Sequence, residues 1–243
     1  MLVLFTDYGA NDLYLGQVHG VLESHAPGLP RLDLFNDAPS FNVRASAHLL
    51  AALAGRFAPA SVFLAVVDPG VGSERAAAVL EADGRFYVGP DNGLLSVVAA
   101  RARQRRFWHI AWRPGAMSES FHGRDLFAPI AAWIARGAFP TPKLRTVPAL
   151  DVDFGGEDLS EVVYVDHYGN AMTGLQAAGI PRGASVVAGH RRLPHVRVFS
   201  EAPPGEPFWH ENSIGLVEIS LNCGDAARAL ELAVGQHVSV VNP

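Results

Sequence analysis

Cysteine is almost absent from this chain of 243 residues. Cys223 is the single cysteine, so no intrachain disulfide can form, as is typical of a reducing compartment. Basic residues are outnumbered by acidic residues, and the formal net charge is -5. Nucleic-acid-binding surfaces, in contrast, are usually basic. The apolar N-terminal run is interrupted at Asp7 and predicts neither a signal peptide nor a membrane span. We therefore expect a soluble, cytoplasmic protein that binds neither nucleic acid nor membranes.

Several motifs that hold metals, cofactors or nucleophiles are missing. The chain has no Walker-type phosphate loop, no cysteine pair, no H-E-x-x-H and no G-x-S-x-G. Gly70-Val71-Gly72 lacks the third glycine of a dinucleotide fingerprint, and the histidines do not show metal-ligand spacing. These absences predict a protein with no metal and no cofactor.

Residues 1–142 alternate between apolar runs and helical periodicity. A hairpin is predicted around Asp83-Gly84. Three short apolar runs predict the first strands: Leu2–Phe5, Leu32–Phe35 and Val62–Val67. Helices follow the first two strands, with Asp12 and Asn42 as candidate N-caps. The alternation predicts an α/β domain with a doubly wound, mostly parallel sheet.

The pattern changes in residues 143–158, where prolines and a glycine pair predict a linker. The C-terminal region, residues 159–243, has short apolar runs separated by turns, which predict a small antiparallel β-barrel domain. The predicted strands are Val162–Val165, Ala184–Ala188, Val196–Phe199, Leu216–Ser220 and Val238–Val241.

Charged side chains follow the strands of the predicted sheet. Asp68 ends the third strand, and Arg75 lies on the same loop. Asp7 and Asp12 lie between the first strand and the first helix, where carboxylates can accept hydrogen bonds from a ribose diol. Ligands of open α/β sheets bind beyond the carboxyl ends of the strands, so these residues are site candidates. A surface ion pair for Asp68 and a helix cap for Asp12 are the structural alternatives.

Three further stretches carry candidate residues. His122 lies in a glycine-containing loop between charged residues, which favours a catalytic role over a structural one. Phe41 precedes the second helix and either staples the start of that helix or presents its ring to a flat ligand. The turns D-H-Y-G-N, at 166–170, and N-S-I-G, at 212–215, are either ordinary turns or binding loops.

Six stretches, taken in order, resemble the S-adenosyl-L-methionine hydroxide adenosyltransferases, which are related to the fluorinase and chlorinase. They are T-D-Y-G-A-N-D, V-V-D-P-G-V-G, P-D-N-G-L-L, F-H-G-R-D-L-F-A-P, D-H-Y-G-N and the N-S-x-G…E-I stretch. The resemblance spans almost the whole chain. It implies hydrolysis of S-adenosyl-L-methionine to adenosine and methionine, with a small-molecule substrate and no cofactor. It also implies a homotrimer whose sites lie between the N-terminal domain of one subunit and the C-terminal domain of its neighbour.

The resemblance also assigns roles to residues. Catalysis is implied for Asp68, Arg75 and His122, and either Asp68 or His122 is the base. The resemblance implies substrate contacts for seven other residues: Asp7 and Asp12 near the ribose, Phe41, the turn residues Asp166, Tyr168 and Asn170, and Ser213 at the methionine carboxylate. Tyr168 replaces a common phenylalanine, and Gly174 replaces a usual asparagine.

Two other functions remain as alternatives. A halogenase of the same fold would attack the same carbon with a halide, but the negative charge of Asp68 opposes a halide at that place. A protein that binds S-adenosyl-L-methionine or adenosine without turnover is compatible with the same motifs. Detection of the reaction products distinguishes an enzyme from such a sensor.

Overall fold

A computed structural model describes residues 1–242 and divides the chain into two compact units. The first unit is Met1–Gly156, and the second is Glu157–Pro243. The first contains helices and one seven-stranded sheet, whereas the second is built mainly on two antiparallel sheets. The chain is therefore a mixed α/β protein.

The first unit contains seven strands and four α-helices. In chain order they are β1 (Leu2–Thr6), α1 (Leu13–His25), β2 (Arg31–Phe35), α2 (Val43–Ala54), β3 (Val62–Val66), β4 (Ala77–Ala82), β5 (Arg85–Pro90), α3 (Ser96–Arg101), β6 (Arg105–Ile110), α4 (Ala128–Ala135) and β7 (Leu144–Val147). A single π-helical turn, Gly123–Phe127, leads directly into α4.

The large sheet is mixed rather than mostly parallel. Its strand order is β2-β1-β3-β5-β4-β6-β7. The pairs from β2 to β5 are parallel, and the pairs from β5 to β7 are antiparallel. The predicted hairpin around Asp83-Gly84 causes the change, because it places β4 between β5 and β6. Strand β7 lies in the range expected to be a linker and pairs with β6.

Strands β1 and β3 form the buried centre of the first unit. Every residue of both strands is buried, as expected for strands covered on two faces. Alternate residues such as Leu4 and Leu64 join the core that contains α1 and α4. The intervening residues, such as Phe5 and Phe63, are fully buried on the opposite face. The sequence reads as continuous apolar runs here because neither face meets water.

The parallel register of β1 and β3 positions the loops that follow them. Thr6 pairs with Val66, so the two strands end side by side. The Asp7 N–H then donates to the Val66 carbonyl oxygen at 3.3 Å. The polar segments after the two strands consequently start at neighbouring points on one edge of the sheet.

Within residues 157–242, the second unit contains seven strands and one short α-helix. They are β8 (Leu159–Val165), β9 (Ala171–Gln176), β10 (Ser185–Ala188), β11 (Arg191–Leu193), β12 (Pro207–Glu211), β13 (Leu216–Leu221), α5 (Ala226–Ala229) and β14 (Val238–Val241). One sheet has the order β11-β10-β14, and the other has the order β12-β13-β9-β8. All strand pairs in both sheets are antiparallel, as the sequence predicts.

The second unit matches the antiparallel part of the sequence-based expectation. Its strands lie in two sheets, and two isolated bridges, Glu161–His237 and His195–Trp209, join strand regions of the two sheets. The predicted strand Val196–Phe199 is wrong, because Phe199 begins a 3-10 turn that ends at Glu201. The Arg197 N–H donates to the Glu201 carboxylate at 2.9 Å, so a side chain replaces a strand partner there.

None of the helices within residues 1–242 combines the length and apolar character needed to span a membrane. The longest helix, α1, has 13 residues, whereas a span needs about 20.

Replacing Gly89 by alanine is expected to destabilise the protein. Gly89 lies in β5, and an added Cβ would lie 2.1 Å from the Ala65 carbonyl oxygen in the neighbouring strand β3. Overpacking of this kind costs roughly 1–3 kcal/mol or more, which urea unfolding will measure. Gly20→Ala in α1 is the matched control, since an added Cβ there meets no atom within 4 Å. We expect Gly20→Ala to stabilise the protein by roughly 0.5–1 kcal/mol. Equal unfolding midpoints for Gly89→Ala and Gly20→Ala would contradict the close packing of Gly89 against Ala65.

Candidate active site

Asp68 and Arg75 form a two-point ion pair beyond the carboxyl end of β3. The Arg75 Nε–H donates to Asp68 Oδ1 at 2.7 Å, and Arg75 Nη2 donates to Asp68 Oδ2. The side chains are only 5% exposed for Asp68 and 12% for Arg75. Two parallel hydrogen bonds fix the carboxylate plane, as a single contact would not. The pair is therefore a buried, bidentate ion pair and not the surface ion pair considered as the alternative.

His122 completes the group from a different part of the chain. Its Nδ1 lies 3.4 Å from Arg75 Nη2, and the side chain is buried. A guanidinium has only donors, so this contact requires Nδ1 to accept and leaves the hydrogen on Nε2. Burial lowers the pKa of His122 below its usual range, and the positive charge of Arg75 lowers it further. The imidazole is consequently neutral near pH 7, with a single N–H donor.

Gly123 holds the His122 loop close to the end of β1. A Cβ on Gly123 would lie 1.7 Å from the Tyr8 hydroxyl, so only glycine permits this approach. The Tyr8 ring also packs edge-on against Phe121. The loops that carry Asp7 and His122 are therefore in direct contact.

Asp7 is the second carboxylate at this edge of the sheet. Burial and, to a smaller extent, the negative charge of Asp68 together raise the pKa of Asp7 from 3.8 to about 6, against the effect of a backbone hydrogen bond. Within residues 1–242, no cation forms an ion pair with Asp7, whereas Arg75 pairs with Asp68. The site thus holds one compensated and one uncompensated carboxylate.

These side chains surround a cleft with a volume of about 340 Å³. Asp7, Asp12, Phe41, Asp68 and His122 line it, and Arg75 lies behind Asp68. Asp12 also caps α1, because its Oδ1 accepts from the Leu13 N–H at 2.6 Å, so both of its predicted roles are compatible with the structure.

Phe41 lies at the edge of this cleft in an unusual conformation. Its φ of 63° is in the left-handed region, which is unfavourable for a bulky side chain. The ring is 84% exposed, so it does not staple α2. Of the two roles considered for Phe41, the exposed ring favours contact with a ligand.

Two charged neighbours of His122 have structural roles. Arg124 donates to both carboxylate oxygens of Asp125, and Asp125 accepts from the Ser118 N–H at 2.8 Å. Arg124 also donates to the Gln17 side chain in α1. These contacts hold the loop before α4 against α1.

A separate group in the first unit has the composition of a metal site but not its hydrogen bonding. Among residues 1–242, the ligand atoms of Asp91, His109 and Asp151 lie within 4.8 Å of one another. Arg145 Nη2 lies 3.2 Å from His109 Nδ1, which requires that nitrogen to accept and places the hydrogen on Nε2. Nε2 then donates to Asp91 at 3.1 Å and has no lone pair for a metal. The group joins β5, β6 and β7 to the segment that follows them.

The second unit contains a larger pocket, of about 870 Å³. Four predicted residues line it: Asp166, Tyr168, Asn170 and Ser213. The Asp166 carboxylate accepts from the Tyr168 and Asn170 N–H groups and from Asn170 Nδ2, at 2.9–3.0 Å. These bonds build the turn and leave the Tyr168 side chain 67% exposed. The stretch is therefore both an ordinary turn and part of a pocket wall.

The sequence did not single out several residues of these two cavities. Tyr8, Tyr14 and Phe121 line the first cleft, and His210 and Glu218 line the second pocket. Tyr8 and Glu218 occur inside the motifs T-D-Y-G and N-S-x-G…E-I, so the motifs contained a signal for them. His210 had none, because a histidine before a turn has no distinctive pattern.

Known proteins are similar to this chain over nearly its full length. An (R)-S-adenosyl-L-methionine hydrolase from Salinispora arenicola is 38% identical, and the match covers 97% of this chain and 95% of that protein. A solved structure of an uncharacterized conserved protein from Thermotoga maritima has a TM-score of 0.88 and 29% identity, and covers 100% of both chains. A fluorinase from an Actinoplanes species is more distant, at 21% identity over 99% of this chain and 97% of its own.

Family profiles match both parts of the chain. The profile of the SAM hydroxide adenosyltransferase N-terminal domain matches residues 2–144, and the profile of the C-terminal domain matches residues 160–239. The two profiles follow one another in the same order as in the family. The chain belongs to the SAM hydroxide adenosyltransferase family.

Proposed function

We propose that this protein hydrolyses (R)-S-adenosyl-L-methionine to adenosine and L-methionine. The observation that carries the proposal is the buried Asp68–Arg75–His122 group in a protein 38% identical to a hydrolase of that name. The sulfonium centre is chiral, and the printed name of the relative specifies its R configuration. The substrate is a small molecule, and the reaction uses water as its second reactant.

The leaving group determines how little chemistry the protein must supply. Water oxygen forms a bond to C5′ of the ribose while the C5′–S bond breaks, and the bonding electron pair leaves with sulfur. Sulfur departs as the neutral thioether of methionine, so its departure needs no proton. The water must lose one proton and approach in line with the C5′–S bond.

The contacts of the three proposed catalytic residues favour Asp68 as the proton acceptor. Nδ1 of His122 faces Arg75 and Nε2 carries the hydrogen, so neither nitrogen is a free acceptor. A carboxylate has about four lone-pair sites, of which Arg75 occupies two on Asp68. We propose that Asp68 takes the proton of the water, that Arg75 holds the carboxylate, and that the His122 N–H orients the water.

The other predicted residues are proposed to bind the substrate. Asp7 and Asp12 accept hydrogen bonds from the ribose hydroxyls, and the exposed rings of Phe41 and Tyr168 contact flat or apolar parts of the substrate. The turn residues Asp166 and Asn170 bind the methionine amine and the adenine, and Ser213 binds the methionine carboxylate. Their position in the lining of the second pocket supports this proposal.

We also propose a homotrimer with a C-terminal barrel in each subunit. The N-terminal domain of one subunit then faces the C-terminal domain of a neighbour, and each pair completes one active site. Exposed aromatic side chains beside both cavities support this assembly, because a monomer leaves them in water. The isolated bridges between the two C-terminal sheets support the barrel.

Substitution of the proposed proton acceptor is expected to lower turnover. Asp68→Asn keeps the size of the side chain and removes its basicity, so kcat should fall by roughly 10²–10⁴-fold with a smaller change in KM. Glu74→Gln is the matched control, since Glu74 is an exposed acid on the same loop. Steady-state kinetics with chromatographic detection of adenosine provides the measurement, and equal kcat values for the two variants would remove Asp68 from the mechanism.

The origin of the new 5′ substituent distinguishes a hydrolase from a halogenase. In oxygen-18 water, we expect the label in the 5′-hydroxyl of adenosine and none in methionine. High chloride or fluoride should give no 5′-haloadenosine, because an anion beside Asp68 in a poorly solvated cleft is repelled.

Separate reactions with the R and S sulfonium epimers should show faster turnover of the R form. A halogenated nucleoside as the main product supports the halogenase, and product-free binding supports a sensor.

Adenosine affinity is expected to depend on the ionisation of Asp7. The ionised carboxylate accepts hydrogen bonds from ribose hydroxyls, so affinity should increase as the pH rises through about 6, the raised pKa of Asp7. Calorimetric titrations on both sides of that pH test this. Asp7→Asn should bind adenosine more weakly above that pH and should lose the pH dependence.

The same pKa has an opposite consequence for stability. Because the native pKa of about 6 exceeds the ordinary value of 3.8, the folded state holds this proton more tightly than the unfolded state. The contribution of Asp7 to stability is therefore present below the ordinary value and is lost as the pH rises through about 6. Asp7→Asn should raise the melting temperature relative to the native protein above that pH, and an unchanged difference across the range would contradict the burial of an uncompensated carboxylate.

A further inference from the structure

A buried carboxylate lies in the wall of the C-terminal pocket. Glu218, on β13, is 5% exposed, yet it has no Lys or Arg partner within residues 1–242. Its Oε1 lies 3.1 Å from His210 Nε2 and 3.4 Å from Ser220 Oγ. Its Oε2 accepts from Asn212 Nδ2 at 3.0 Å. Such a buried acid is costly unless its oxygens are hydrogen-bonded, and here each oxygen has at least one such neighbour.

The contact with Glu218 fixes the orientation of the Asn212 amide. Because Nδ2 donates to the carboxylate, Oδ1 faces the opposite way, towards the turn between β12 and β13. There Oδ1 accepts from the Ile214 N–H at 3.1 Å and from the Leu216 N–H at 3.0 Å. A reversed amide would place an NH₂ group against two backbone N–H donors and would lose both bonds.

The turn that Asn212 holds carries Ser213. The Gly215 N–H donates to the Asn212 carbonyl oxygen at 3.0 Å, and Gly215 has a φ of 83°. This is a short hairpin turn closed by a left-handed glycine, in which the Asn212 side chain accepts from two backbone N–H groups and the Asn212 carbonyl oxygen accepts from a third. Ser213 at its tip lines the pocket.

We propose that Glu218 is a positioning residue for the methionine part of the substrate, acting through Asn212 on the turn that presents Ser213. The Glu218 carboxylate oxygens face His210, Asn212 and Ser220, so in this proposal Glu218 influences binding and not the chemical step. The ligand class is an α-amino acid carboxylate, which a serine hydroxyl and a backbone turn recognise by hydrogen bonding. The inference rests on the proposed function for the identity of that ligand.

Exchanging the carboxylate and the amide between positions 212 and 218 tests this contact. Asn212→Asp keeps the shape and the acceptor facing the turn, but it sets a second carboxylate against Glu218 at about the same distance. The two like charges repel, and the turn must move. Glu218→Gln combined with Asn212→Asp restores the contact with the opposite polarity, because the new amide donates to the new carboxylate. The double variant also has the same number of negative charges as the native protein.

We expect the single variant Asn212→Asp to weaken methionine binding by roughly 10–100-fold, the loss expected for a hydrogen bond to a charged group. The variant should raise KM and leave kcat nearly unchanged. Its affinity for adenosine should stay within about twofold of the native affinity. The double variant should recover most of the methionine affinity. Glu206→Gln is the control for loss of an acidic charge, since Glu206 is an exposed acid outside the pocket lining.

Calorimetry with methionine and with adenosine separates this proposal from the proposed function, because neither titration needs turnover. A native protein that binds methionine without hydrolysing S-adenosyl-L-methionine refutes the proposed function and leaves the positioning role open to the same variants. Native methionine affinity in Asn212→Asp, equal losses for methionine and adenosine, or no recovery in the double variant each overturn the positioning role. Unfolding midpoints of all variants identify any general loss of structure.

Discussion

The parallel pairing of β1 with β3 is the constraint on which the N-terminal site depends. Because Thr6 lies beside Val66, the segments that follow these strands start at neighbouring points, and Asp7 and Asp68 are brought together. Fully buried strands cannot shift their register without moving apolar side chains out of the core. The hydrophobic pattern of β1 and β3 therefore determines how close Asp7 and Asp68 lie, although neither residue is part of a strand.

Two carboxylates at one strand edge need different surroundings if they are to have different roles. Arg75 pairs with Asp68 at two points, whereas Asp7 has no such partner, and burial raises the pKa of Asp7 to about 6. The same arginine donates towards His122, whose pKa is lowered first by burial and then by the positive charge of Arg75. Burial and one bidentate ion pair thus give the members of the group different electrostatic surroundings, and a cleft lined by carboxylates suits a neutral water nucleophile better than a halide.

Local sequence signals predicted the elements that depend on local interactions. The apolar runs of β1 and β3, the caps at Asp12 and Asn42, and the hairpin turn at Asp83-Gly84 all lie where the sequence placed them. The position of that hairpin inside the sheet depends on pairing between β4 and β6, which no local pattern encodes. The same limit explains the strand wrongly predicted near Val196, where apolar alternation is overridden by a bond to the Glu201 side chain.

In the candidate site, too, the contacts between residues close in sequence were predictable and those between distant residues were not. Asp68 and Arg75 share one loop, so their pairing was predictable, whereas the contact with His122 spans 47 positions and depends on the fold. In the C-terminal unit the turns themselves were visible, but the groups that hold them were not. The Asn212 amide is oriented from both sides, because Glu218, six positions away on the next strand, accepts from its Nδ2 while two turn N–H groups donate to its Oδ1. Such a residue does not need to touch a ligand, because the orientation of one neutral amide determines whether the turn beside it keeps its hydrogen bonds.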